Sequence, residues 1–174
     1  MCPDITERAF EEAIEAALLR YGPDARVDAV AGSSGGPRPG YGDMAPGGYR
    51  SRTPRDYDRT LCLHPRDVVD FVLATQPKEW KRLQEHHGED IRDQFLRRLA
   101  SEIARRGALD VLRKGIRDSG CRFHLAYFRP SSGLNEEIRR LHAANLFAVV
   151  RQVHYSTKNE NSLDLVLFLN GIPI

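Results

Sequence analysis

Long hydrophobic runs are missing from this chain: no uninterrupted apolar stretch approaches the ~20 residues that a membrane span requires. The N-terminus is charged and carries no apolar core of the signal-peptide kind, which points to a soluble protein outside the secretory route. Cysteine is scarce as well. The three present, Cys2, Cys62 and Cys121, are odd in number and stand in no metal-ligand spacing. They suit free or buried thiols in a reducing, cytoplasmic compartment better than a disulfide framework. Net charge is almost absent, +2 from 26 basic and 24 acidic side chains, so any nucleic-acid face must be a local patch. The phosphate-cradling pattern GxxxxGK(S/T) does not occur, and there is no internal repeat. With 174 residues, one domain with a real core is expected.

What is present is organised around the last stretch. In Asn159 to Ile174, Leu163, Leu165, Leu167 and Leu169 alternate with Asp164, Val166 and Phe168, the period of a strand. Both faces are apolar, which predicts a central strand covered on both sides, except where Asp164 enters. A carboxylate there is costly without partners. Asp164 is therefore either a capped or paired strand acid, or a cation ligand at the open end of the sheet. Asn170-Gly171 predicts a tight hairpin turn, and Ile172-Pro173-Ile174 begins a return strand. A chain stopping there reads as a fragment cut inside a sheet.

Earlier segments divide into helices and a loop. Asp4 followed by Glu7 makes a capping-box-like start to a helix ending at Gly22-Pro23. Its stripe is Phe10, Ile14, Ala17, Leu18 and Tyr21; Glu7 falls within the stripe, Glu11 at its edge and Glu12 opposite. Arg26 to Val30 suggests a short strand. Residues 31–55 are rich in Gly, Pro and Ser and read as a surface loop. From Tyr57 to Gly120 helices are expected, opened by His64-Pro65, Gln76-Pro77 and Asp90; a shorter one, with Leu109, Val111, Leu112 and Ile116, ends at Gly120. Arg122 to Phe128, Leu146 to Tyr155 and Leu163 to Leu169 favour strands, with a helix around Asn135 to Ala144. This order predicts an α/β domain with a mixed sheet. Among lesser candidates, Gln152 shares a strand face with His154, as a polar pair or as phosphate contacts. Arg113-Lys114 meets a helix dipole, and His86-His87 has no further metal ligand at useful spacing.

Several contiguous segments resemble one family. Gln76-Pro77-Lys78-Glu79-Trp80, Asp110-Val111-Leu112-Arg113-Lys114-Gly115, Ala126-Tyr127-Phe128-Arg129-Pro130, Arg151-Gln152-Val153-His154-Tyr155 and Asn159 through Pro173 together resemble the N-terminal nuclease domain of type I restriction enzyme R (motor) subunits. The likeness runs from about Tyr57 onward, with a looser fit in the opening helix and a poor one in the Gly/Pro loop. It implies a restriction-endonuclease-like core with added helices, of the PD…(D/E)xK type. It places the strand Asp at Asp164 and the Glu-x-Lys a dozen or more residues further on, past Ile174. A third acid from the first helix is implied, and Glu11 is the residue chosen, since Glu7 is assigned to the cap and Glu12 to solvent. The expected assignment is therefore Asp164 and Glu11 as catalytic residues, Asp164 as the Mg²⁺ ligand, and Gln152 and Arg151 as DNA contacts. The resemblance implies cleavage of double-stranded DNA after ATP-dependent translocation, with modification and specificity subunits as partners. It puts the ATP-driven motor domains outside this chain and makes residues 1–174 a partial nuclease domain, inactive alone. Two rivals stand beside it: a non-catalytic DNA-binding or subunit-assembly module, and a stand-alone nuclease of the same superfamily.

Overall fold

The computed structural model describes residues 6–21, 48–129 and 135–174. Helix α1 spans Glu7–Tyr21 and strand β1 Tyr49–Arg52, followed by a 3-10 turn at Pro54–Asp56. Then come α2 (Pro65–Thr75), α3 (Pro77–His87), α4 (Ile91–Arg106) and α5 (Ala108–Lys114). A hairpin of β2 (Ile116–Asp118) and β3 (Cys121–Phe123) leads to α6 (Glu136–Ala143), β4 (Phe147–His154), β5 (Ser162–Leu169) and β6 (Ile172–Pro173). The main sheet has the order β1-β4-β5-β6; β1 runs parallel to β4, and the other pairs are antiparallel. The fold is thus α+β with a mixed sheet. No helix among the described residues is long and apolar enough to cross a membrane.

The helical cluster follows from local chemistry. Pro65 and Pro77 stand in the first turns of α2 and α3, where the missing N–H costs nothing and φ is already helical. Val68, Val69, Phe71 and Val72 from α2, Trp80 and Leu83 from α3, and Ile91, Phe95, Leu96 and Leu99 from α4 are all buried in one core. Trp80, Phe95 and Phe123 meet edge to face, with centroids 5.3 and 4.9 Å apart, a favoured aromatic geometry.

Three expectations are corrected. The loop assigned to 31–55 gives way to strand β1 at Tyr49–Arg52, where Tyr49 and Arg50 are buried; the Gly/Pro-rich composition just upstream hid a strand of only four residues. Residues 31–47, like the strand expected at Arg26–Val30, lie outside the described residues. The short helix stops at Lys114 rather than Gly120, because Gly115 turns out of it at φ +70. A side chain at Gly115 would collide with the Phe123 carbonyl, so the chain reverses there and Ile116 enters β2. The strand expected over Arg122 to Phe128 ends at Phe123 and belongs to this hairpin. Beyond it the chain is anchored by side chains instead of a ladder: Asn145 accepts from the Tyr127 N–H (3.1 Å) and donates to its carbonyl (2.6 Å).

Strand β5 is less covered than its sequence predicts. Phe168 is buried but Leu163 is 49% exposed, because β6 pairs only with Phe168 and Leu169. The Asn170-Gly171 turn forms as expected, with φ +52 and +79. It is also a structural hub. Asn170 is fully buried, accepts from the Leu146 N–H at 2.6 Å, and donates to the Leu125 carbonyl at 2.7 Å and to Asn145 Oδ1 at 3.1 Å.

Between α2 and the sheet lies His64, 1% exposed and edge-on to Phe168 at 5.4 Å. Neither ring nitrogen is within hydrogen-bond reach of a partner, the Asp67 carboxylate standing 3.9 Å from Nδ1, and burial outweighs that charge and pushes the pKa below the ordinary 6.5. The unfolded chain therefore binds a proton that the folded chain resists, so stability holds above about pH 6.5 and falls as pH drops below it. His124, also lowered by burial, acts in the same direction. Thermal unfolding followed from pH 7.5 to 5.5 should show a falling Tm, and His64→Phe should flatten that slope; an equal slope in the variant would assign the effect elsewhere.

Candidate metal centre

The first helix does not dock by its apolar stripe. Phe10 is 66% exposed and Ile14 36%, whereas Glu11 is only 7% exposed. The sheet explains this inversion. Arg151 of β4 reaches up to α1 and pairs with Glu11 (3.5 Å), Glu12 (3.4 Å) and Glu15 (3.5 Å). Gln152 donates its amide to both oxygens of Glu11, at 3.1 and 3.2 Å, and Ser51 of β1 donates to Glu15 at 2.8 Å. The helix therefore turns its acids, not its aliphatics, toward the sheet. Glu12 is half exposed and its carboxyl is held below the ordinary range by Arg8, one turn earlier.

Adjacent strand residues normally point to opposite faces, yet Arg151 and Gln152 both reach α1. The backbone supplies the reason. Gln152 has φ +52, in the left-handed region that non-glycine residues seldom occupy. The β4–β5 ladder runs through Arg151↔Leu165 and resumes at Val153↔Leu163, omitting the rung between Gln152 and Asp164. The shift shows in packing too, since Ala148, Val150 and Val153 share one apolar cluster. Strained backbone of this kind is over-represented at functional sites.

At that interrupted rung the acids gather. Carboxylate oxygens of Glu7, Glu11 and Asp164 lie within 4.8 Å of one another, Glu11 buried and the other two exposed. Glu7 was assigned to a capping box with Asp4, which lies outside the described residues. In the structure Thr6 caps the helix: its hydroxyl accepts from the Ala9 N–H at 3.3 Å. That makes Glu7 the first helical residue, where a carboxylate is favoured by the dipole and its side chain is available to the cluster. The signal in the sequence was the four-residue spacing of Glu7 and Glu11, which puts both on one helix face.

The other candidates fall differently. Arg151 is engaged with the carboxylates of α1. Gln152 holds Glu11 and accepts from the Ser162 hydroxyl at 3.2 Å. His154 is engaged with Glu160, its Nδ1 3.1 Å from the Glu160 carbonyl. His87 pairs with Asp118 at 3.4 Å, apart from the acidic cluster. Three convergent carboxylates form a hard-oxygen donor set of the kind Mg²⁺ prefers, usually through a few carboxylates with water completing the shell. The residues present therefore fit such an ion.

No curated protein and no solved structure matches this chain. One family model, described as type I restriction enzyme R protein N terminus, matches residues 76–174. The matched segment contains Gln152 and Asp164 and leaves α1 outside. Since the match spans more than half of the chain, the protein belongs to the family of type I restriction enzyme R protein N-terminal regions.

Proposed function

We propose that this chain carries the metal-binding carboxylates of a nuclease site that hydrolyses phosphodiester bonds in double-stranded DNA with Mg²⁺. The observation that carries this reading is the meeting of Glu7, Glu11 and Asp164 at a broken rung of the sheet, inside a member of a restriction-enzyme family. Asp164 and Glu11 are the metal ligands, and Glu7 completes the set from the first turn of α1. Gln152 is a positioning residue: its amide fixes the Glu11 carboxylate, and its φ is what turns it there. Arg151 offsets the charge of Glu11, Glu12 and Glu15, so that the carboxylates stay close without an ion. A bound Mg²⁺ would lower the pKa of a coordinated water and offset the charge of the scissile phosphate.

On this reading the whole enzyme cuts DNA after ATP-dependent translocation, within a cytoplasmic complex of modification and specificity subunits. The Lys that positions the attacking water in such sites belongs to the Glu-x-Lys segment, so residues 1–174 alone bind metal while cutting DNA little or not at all.

Manganese binding to the 174-residue chain, followed by electron paramagnetic resonance, tests this without relying on catalysis. Wild-type protein should take up the ion and Asp164→Ala should weaken uptake at least about tenfold, as expected when one of three charged ligands is lost. Equal uptake by both proteins would remove Asp164 from the site and favour a non-catalytic binding or assembly module.

A further inference from the structure

Away from the acidic cluster, α4, α5 and the β2–β3 hairpin surround an open cavity of about 350 Å³, lined by five arginines, one lysine and a single carboxylate. That carboxylate, Glu102, is 4% exposed. It holds the guanidiniums of Arg98 (3.0 Å), Arg105 (2.7 Å) and Arg106 (3.2 Å). Arg106 also pairs with Asp110, which holds Lys114. Three arginines are thus fixed around one buried acid, and the cavity keeps a strong positive excess.

Arg117 and Arg122 differ from the rest. Both are exposed, and they stand directly opposite each other on the β2–β3 ladder. Neither has a carboxylate within ion-pair distance among the described residues. Like charges at directly opposed positions of an antiparallel pair are destabilising. The charge of Arg122 also adds to burial in holding the His124 pKa down. An unfavourable arginine pair at the mouth of a cationic cavity is what a site for a multiply charged anion looks like before its ligand arrives.

We propose that this cavity binds phosphate groups, with Arg117 and Arg122 as direct contacts and Glu102 holding the guanidiniums behind them. The preponderance of arginine over lysine favours bidentate recognition of phosphate oxygens. The cavity has room for more than one such group, so two sources share this chemistry: successive phosphates of a nucleic-acid backbone, or a free polyphosphate.

The test uses the full 174-residue chain in EDTA, which keeps metal out of the acidic cluster. Two probes are titrated against wild type and Arg117→Gln/Arg122→Gln: a short blunt DNA duplex, followed by fluorescence anisotropy, and pyrophosphate, followed by calorimetry. Without ligand the double variant should melt higher than wild type, because the opposed charges are gone. It should bind its ligand about tenfold more weakly, and for the duplex the slope of log affinity against log salt should become shallower by about two. Loss confined to the duplex identifies a nucleic-acid backbone as the source; equal loss for pyrophosphate identifies a free polyphosphate. Unchanged affinity for both probes, or a variant that melts lower than wild type, overturns the proposal. Manganese uptake by Arg117→Gln/Arg122→Gln should match wild type, because the cavity shares no residue with the acidic cluster, so this inference and the metal-centre reading fail separately.

Discussion

Asn170→Ala should lower the melting temperature by roughly 10 °C. The residue is fully buried, and its side chain makes three hydrogen bonds, to the Leu146 N–H, the Leu125 carbonyl and Asn145. Truncation leaves at least one donor and one acceptor unpaired in a dry interior, at about 1–3 kcal/mol each. Alanine must also hold φ +52, which asparagine tolerates better than most residues. The sum is about 4 kcal/mol, a large part of the ~5–15 kcal/mol that stabilises a typical domain. Each kcal/mol moves the melting point of a chain this size by about 2–4 °C. Asn170→Gly separates the two contributions, since glycine relieves the backbone but not the lost bonds; it should melt between wild type and the alanine variant. A melting point for Asn170→Ala within about 2 °C of wild type would show that the turn is not the hub its bonding implies.

The second large effect concerns cleavage. In an R protein carrying this chain at its N terminus, Glu11→Gln and Asp164→Asn should each reduce DNA cutting by at least about a hundredfold, the scale on which a lost transition-state charge contact is felt. Both substitutions keep the shape of the side chain and remove its charge. ATP hydrolysis should continue at the wild-type rate, which serves as the control for folding. Gln152→Ala should fall between, at roughly tenfold, because it only orients a ligand. Full cleavage by either neutralised variant would end the assignment of that carboxylate as a metal ligand.

How much of this was readable in the sequence depends on which force shaped each part. Helices α2, α3 and α4 announce themselves, because proline at the start of the first two and apolar residues at helical spacing in all three are local signals acting on a buried face. Asp164 is legible for the same reason in reverse: it breaks a strand otherwise apolar on both faces. The face of α1 is not legible, since hydrophobic periodicity cannot register a helix docked by Arg151 and Gln152 onto its acids. Glu11 emerged from its place at the stripe's edge together with the family resemblance, while Glu7 was hidden by a capping role that Thr6 fills. The exit from α5 was masked by Ile116, which continues an apolar helical pattern across Gly115 although the backbone there has already turned.

Arg151 and Gln152 meet Glu11, Glu12 and Glu15 across sequence separations of 136 to 141 residues. Bringing such distant segments together carries a loop-closure cost in chain entropy that the helices packed from neighbouring sequence escape, although that cost grows only slowly with length. No local piece of the chain can assemble the acidic cluster: it needs the first helix and the last two long strands in place together. An intact cluster therefore reports that helix α1 and the β4–β5 pair, far apart in sequence, have found each other.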